Sequence, residues 1–405
     1  MDGLRRLAAT AMIGLVAGCS PVPAATSLPS ATAPATSSPP STATPTATAA
    51  TSPQGPTGLG DTWERIELPG ERPEPVAAVN GLSGLVIVGR QCIGANTNRC
   101  TQTASAWRSN DDGASWQLAM VEDAENTFLR EVVYNGSYVA FGIRYERRGE
   151  ARQAVGILWR SGDGSDWRRF GSIELGDCTE EGCPSAIGLH ANEDGPFLFE
   201  RVLTNLMGPG PPYRSADGSA WTQIPAGEFG LVDSADVVIT DALATSPGFH
   251  ALLTGNDLPL TAWTSEDGAT WSAAGRFDEV TDTSASMTIG AELVVARGSC
   301  PPSACTTSIW VESEDGGFEQ TDTSFELAET RVTYTGPAGY LLVGLDNETP
   351  RAATSLDART WTRGDPGPPT EQCDMGWLAG GLSLAIFMGE LGCGDAWITR
   401  GAASE

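Results

Sequence analysis

The feature that most constrains this chain is a short turn sequence that keeps returning with an aromatic ring on either side. It stands first as Ser109-Asn110-Asp111-Asp112-Gly113-Ala114-Ser115-Trp116. Shortened by one residue after Asp, it recurs as Ser161-Gly162-Asp163-Gly164-Ser165-Asp166-Trp167, Ser215-Ala216-Asp217-Gly218-Ser219-Ala220-Trp221 and Ser265-Glu266-Asp267-Gly268-Ala269-Thr270-Trp271. Two worn copies follow, Ser313-Glu314-Asp315-Gly316-Gly317-Phe318 and Ser355-Leu356-Asp357-Ala358-Arg359-Thr360-Trp361. Asp-Gly between apolar strands favours a tight hairpin with positive φ at Gly, while Ser and Asp side chains accept hydrogen bonds from the turn's own amides. Two residues before Ser a second ring sits on the incoming strand: Trp107, Trp159, Tyr213 and Trp263, with Trp310 displaced by one. Counting Trp63 and Trp397, every tryptophan except Trp377 occupies one of these two positions, so the rings are predicted to be core rather than sugar-stacking platforms.

Successive repeats lie about 50 residues apart, the length of a four-stranded unit. Between hairpins an apolar stretch, a Gly-containing turn and a second apolar stretch recur, as in Val132–Tyr134 followed by Tyr138–Ile143. The ends complete the count. Near the C-terminus Ala396-Trp397-Ile398-Thr399 reads as a third strand with no hairpin after it, and Asp61-Thr62-Trp63-Glu64-Arg65-Ile66 reads as a fourth strand with no third before it. Pairing them predicts a ring of seven units without a free edge.

The turn sequence resembles the Asp-box, or BNR repeat, of sialidases and related β-propellers, and the first copy keeps the family's spacing. The resemblance implies an all-β β-propeller, and with the count of units above the expectation is a seven-bladed β-propeller over residues 61–405. It says little about activity, because the box is a structural turn found in binding proteins and enzymes alike.

Residues 1–18 read as an export signal, with Arg5 and Arg6 before an apolar run too short to span a membrane. Leu15-Val16-Ala17-Gly18-Cys19 resembles a bacterial lipobox, which implies cleavage before Cys19 and lipid attachment to it. Residues 19–60 are dominated by Ser, Thr, Ala, Pro and Gly and carry no charge, so they are expected to form a disordered tether from the membrane to the globular domain. Eight further cysteines in an exported chain predict disulfides, paired by proximity as Cys92–Cys100, Cys178–Cys183, Cys300–Cys305 and Cys373–Cys393.

The chain carries 51 acidic and 24 basic residues, a formal −27, and every basic residue is Arg. Such a field repels nucleic acid, and lysine-dependent chemistry is excluded. No cofactor or metal is expected. Acidic groups fall in the connections opposite the Asp-Gly turns: Glu122, Asp123 and Glu125; Asp177, Glu180 and Glu181; Asp278, Glu279 and Asp282; Asp322, Glu326 and Glu329. Disulfide-clipped charged loops on a rigid ring are the expected binding surface, for an envelope protein or glycan, in a monomer. The alternative that the resemblance offers is a sialidase, which needs three arginines and a tyrosine nucleophile. Arg130, Arg144, Arg201, Arg297 and Arg331 with Tyr134 or Tyr334 are the candidates. The family's early Arg-Ile-Pro is absent, since Glu67 follows Arg65-Ile66.

Overall fold

The computed structural model describes residues 58–401 apart from 95–99, 150, 179–182, 184, 193–196, 204–211, 230–237, 246–247, 256–257, 278–284, 300–305, 322–324, 347–348, 365–366, 370–376, 382 and 390–394. The export signal, Cys19, nearly all of the tether and the Cys300–Cys305 and Cys373–Cys393 pairs lie outside these residues.

The described residues form seven sheets, five of which run wholly antiparallel and in chain order. The first holds Pro73–Gly81, Gly84–Ile93, Thr101–Ser109 and Gln117–Leu118. The second holds Thr127–Tyr134, Tyr138–Arg148, Ala151–Ser161 and Asp166–Asp177, with Met120–Val121 added in parallel at its outer edge. The third is Ser185–Ala191, Phe197–Leu203, Tyr213–Ser215 and Thr222–Gln223, and the fourth is Val238–Thr245, Gly248–Gly255, Leu258–Ser265 and Ser272–Phe277. The fifth is Ala285–Ile289, Leu293–Ser299, Thr306–Glu312 and Phe318–Thr321, and the sixth is Ala328–Tyr334, Tyr340–Asp346, Thr349–Ser355 and Thr362–Gly364. In the seventh, Trp377–Gly381, Leu384–Met388 and Ala396–Arg400 are completed by Glu64–Arg65.

The first strand of each sheet touches the first strand of the next, and that of the seventh touches that of the first. The sheets therefore follow one another in a closed, propeller-like cycle with the first strands innermost. An innermost strand leaves backbone groups on its free edge, and the preceding sheet supplies caps for some of them. Asp241 Oδ2 accepts from Met287 N at 2.7 Å, Ser286 Oγ from Val332 N at 3.0 Å and Thr288 Oγ1 from Tyr334 N at 2.9 Å.

The core lies between neighbouring sheets, where strand alternation sends side chains to both faces. Trp107, Trp159 and Trp167 are fully buried there, and Trp271, Trp310 and Trp361 nearly so. Each turn builds itself as its residues dictate. Gly164 N donates to Ser161 Oγ at 2.9 Å, Ser165 N to Asp163 Oδ1 at 2.9 Å, and Trp167 Nε1 to Gly164 O at 3.0 Å. Gly113, Gly164, Gly218, Gly268 and Gly316 all have positive φ, and Ala358 takes the same conformation at +58° where the sixth copy lacks Gly.

The seventh sheet has such a turn in two pieces. Gly60, at φ +80°, stands three residues before Trp63, as Gly164 stands before Trp167. Its N–H donates to Thr399 Oγ1 at 2.8 Å, and Thr399 lies two residues after Trp397 as Ser161 lies two after Trp159. Leu59 fills the position before Gly that Asp holds elsewhere. It is 2% exposed, packed against Leu341, Val343, Ala352 and Phe387. Leu59 and Gly60, which composition assigns to the tether, thus belong to the packed domain. Arg65 with Asp395 and Arg400 with Glu64, both at 2.6 Å, and Ile66 N to Ala396 O at 2.8 Å complete the closure.

Candidate interaction face

In each sheet the chain turns between strands one and two and between strands three and four at one end. The loops between strands two and three and the crossings to the next sheet lie at the other. Both described disulfides are at that second end: Cys92–Cys100 joins strands two and three of the first sheet, and Cys178–Cys183 lies in the crossing from the second sheet to the third.

The acidic groups at this end divide. Glu122 and Asp123 are spent internally. Glu122 Oε2 accepts from Arg169 N at 3.0 Å, and Asp123 Oδ2 lies 3.2 Å from Arg144 Nη1 and 3.3 Å from Arg169 Nη1. The Arg144 hydrogen bond is the main cause holding the Asp123 carboxyl below its usual range. These residues edge a recess of about 550 Å³ with Phe170, Gly171 and Ser172. Asp177, Glu326 and Glu329 are exposed. Glu180, Glu181, Asp278, Glu279, Asp282 and Asp322 lie outside the described residues. Among the described residues no group of three or more His, Cys, Asp and Glu side chains is placed to hold a metal ion.

The arginines proposed for a sialidase-like site are not gathered with either proposed tyrosine, Tyr134 or Tyr334; the ring beside Arg130 and Arg144 is Tyr145, which packs on Phe128 with centroids 6.2 Å apart. Arg130 is half-buried, 5.7 Å over the Phe128 ring, and desolvation lowers its pKa. Arg144 is paired with Asp123 and Glu146. Arg297 is 8% exposed, and Arg331 Nη1 donates to Thr330 O at 3.1 Å. The Arg201 side chain is outside the described set. Tyr134 ends its strand four residues beyond Arg130, about 13 Å along it. There it packs on Tyr138 with ring centroids 5.0 Å apart. Tyr334 ends the first strand of the sixth sheet, beyond Arg331, and packs on Tyr340 at the same separation. Both tyrosines are thus at the turn end, away from the loops.

Among the described residues the second sheet has the longest strands at the loop end. Its second, third and fourth strands run 11, 11 and 12 residues, against 5 each for the first three strands of the seventh sheet. Pairing of the first two strands begins at Thr127↔Arg144, yet the second and third stay paired through Arg148↔Ala151, and the fourth follows to Asp177↔Gln153. A three-stranded tongue therefore projects beyond the innermost strand. It carries Tyr145, Arg147 and Arg152, with the Arg152 guanidinium 4.5 Å over the Tyr145 ring. The sequence signal for this element is the dense, mostly basic run Arg144-Tyr145-Glu146-Arg147-Arg148, which is not one of the acidic loops.

No protein-family model matches the chain, and comparison with curated proteins finds no match either. Solved structures are similar at low sequence identity. One is YCF48 bound to D1 peptide, with 14% identity, a TM-score of 0.48 and coverage of 86% of this chain and 99% of that one. Trypanosoma rangeli sialidase in complex with sialic acid is 11% identical at a TM-score of 0.44, and the match spans 86% of this chain and 60% of the sialidase. Chaetomium thermophilum Sqt1 bound to the N-terminus of the ribosomal protein L10 is 9% identical at 0.43, with coverage of 83% and 100%.

Proposed function

We propose that this chain is a lipid-anchored, extracytoplasmic seven-bladed β-propeller of Asp-box type that binds a protein or glycan at the bacterial cell envelope without catalysis. Seven sheets whose first strands meet in a closed cycle support the blade count, and the split turn supports closure by the chain's own ends. The lipobox-like Leu15–Cys19 segment and the uncharged stretch before residue 61 support the anchor and tether. The binding surface in this reading is the disulfide-clipped loop end, built on rigid sheets.

The observation that carries the non-catalytic reading is that neither proposed nucleophile, Tyr134 or Tyr334, lies beside the proposed arginines. A sialidase needs its nucleophile beside the arginines that hold the substrate carboxylate. Here Tyr134 and Tyr334 lie at the turn end, Arg130 and Arg331 stand mid-strand, and Arg144 and Arg297 lie towards the loop end.

A fluorogenic sialoside is expected to show no turnover with the purified protein. Turnover lost in Arg331→Ala would overturn the reading. Crosslinking and co-purification from intact cells, comparing the native chain with Cys19→Ala, tests anchor and partner together. The native chain is expected in the membrane fraction with a captured partner, and the variant in the soluble fraction. Equal partition of the two would remove the lipid anchor.

A further inference from the structure

We propose that the tongue of the second sheet is a strand-addition site for an extended acidic segment of a partner protein. This rests on the non-catalytic binding reading above and names the chemistry of the partner. Strand alternation places Tyr145 and Arg147 on one face of the tongue and Glu146 and Arg148 on the other. The register sets Arg147 directly opposite Arg152. Like charges in that relation destabilise an antiparallel pair. Acid is plentiful in this chain, and neighbouring arginines use it: Arg148 pairs with Glu174 at 3.0 Å, and Arg144 with Asp123 and Glu146. Among the described residues neither Arg147 nor Arg152 has an ion-pair partner, and both are exposed. Stacking on Tyr145 fixes the plane of the Arg152 guanidinium and leaves its in-plane N–H groups for a carboxylate.

The second observation is independent of charge. Residues Tyr145–Arg148 are paired only towards Ala151–Ala154, because the innermost strand stops at Thr127. Their inner edge has no ladder partner among the described residues, whereas Met287, Val332 and Tyr334 on the innermost strands are capped by side chains. A free edge is a template for another strand, whose backbone supplies affinity while its alternate side chains supply specificity. The third strand behind this edge is held by Cys178 N to Arg152 O at 2.7 Å, next to the Cys178–Cys183 bridge, so little ordering remains to be done on binding. A peptide strand on this edge would present every second side chain to the Arg147–Arg152 face. Carboxylates at those alternate positions match it. A long polyanion matches less well, since the net field of the chain opposes it beyond the local contact.

The probes are a labelled eight-residue peptide alternating threonine with glutamate, its glutamine counterpart, the glutamate peptide methylated on alternate backbone nitrogens, and inorganic polyphosphate. With the mature chain the glutamate peptide is expected to bind saturably in an anisotropy titration and to slow amide exchange at 145–148. Binding at least tenfold weaker is expected for the glutamine and methylated peptides, and for Arg147→Gln/Arg152→Gln with unchanged thermal unfolding. Several results would overturn the proposal: no peptide binding, equal binding of the charged and neutral peptides, no protection at 145–148, or displacement by polyphosphate with the same protection. The first of these would mean that the edge arginines merely repel other strands. Sialoside turnover would sink the non-catalytic reading without touching this edge. A partner captured from cells whose capture is unchanged in the double variant would leave that reading standing and sink this one.

Discussion

Six turns of this protein are made from consecutive residues, and the seventh is made from residues about 340 apart in the chain, Gly60 and Thr399. The hydrogen bond from the Gly amide to a hydroxyl oxygen is nearly the same in both kinds, 2.8 Å at Gly60 and 2.9 Å at Gly164. What differs is how the turn is stabilised around it. A contiguous copy relies on an exposed carboxylate: Asp163 gathers Ser165 N and Oγ, and Asp217 does the same with Ser219. The split copy puts Leu59 in that position and buries it between the sixth and seventh sheets. A local turn can be ordered by its own side chains, because the chain already holds the two strands together. Joining two ends forfeits that advantage, since closing so long a loop costs entropy first, and apolar burial takes over from the carboxylate.

The comparison breaks most visibly if the closing segment is removed. Deleting residues 58–66 exposes the sites of Leu59 and Ile66, a loss of about 3–6 kcal/mol at ~1.5–3 kcal/mol per side chain, comparable with the ~5–15 kcal/mol that holds a typical domain together. The whole domain is expected to unfold cooperatively at lower urea concentration, and a protease-resistant core lacking these residues would refute the closure. Leu59→Ala alone is expected to cost about 2–5 kcal/mol in urea unfolding. The equivalent change at the exposed Asp217 should cost much less. Equal losses would mean that the seam uses the same device as the other turns.

Acid sharpens the contrast from the other side. Hydrogen bonds from Ser115 and Ser109 lower the Asp111 pKa to about 2, and Asp163, Asp217, Asp267 and Asp315 are lowered by their own turns' hydroxyls and amides. A depressed folded pKa contributes stability that is complete above the unfolded value near 3.8 and is lost as pH falls towards the folded one. Thermal midpoints are therefore expected to fall between pH 4 and pH 2, and Asp111→Asn should flatten part of that fall. Leu59 has no proton to gain, so Leu59→Ala should lower the midpoint equally at both ends of the range.

The contiguous turns were legible because everything that makes them, Ser, Asp, Gly and the two flanking rings, lies close together in the chain, as from Trp159 to Trp167. The pairing of Trp63's strand with Trp397's was legible by subtraction, since each lacked a neighbour. The start of the domain was not. Leu59-Gly60 follows a long Ser, Thr, Ala and Pro stretch, and with Leu in the Asp position the half-turn has no Asp-Gly to mark it. The tongue was missed for a similar reason. Strand two of the second sheet reads as ending at Ile143 because Arg144–Arg148 is charged and lacks apolar alternation, yet pairing continues to Arg148. That Arg147 meets Arg152 depends on register, which composition does not carry.

The smallest effect tests the finest difference between the two kinds of turn. Trp116 and Trp63 are both half-buried and follow their Gly by three residues. Trp116 Nε1 donates to Gly113 O at 3.2 Å, whereas Trp63 Nε1 is buried without an acceptor among the described residues. Trp116→Phe removes a made hydrogen bond, a loss of about 0.5–1.5 kcal/mol beyond the change in ring area, while Trp63→Phe removes a donor whose desolvation was never offset. Urea unfolding of the two variants should therefore place Trp63→Phe closer to the native chain by about 1 kcal/mol or more. The same loss in both would mean that Trp63 finds an acceptor, and that the split turn repeats the contiguous ones down to the indole.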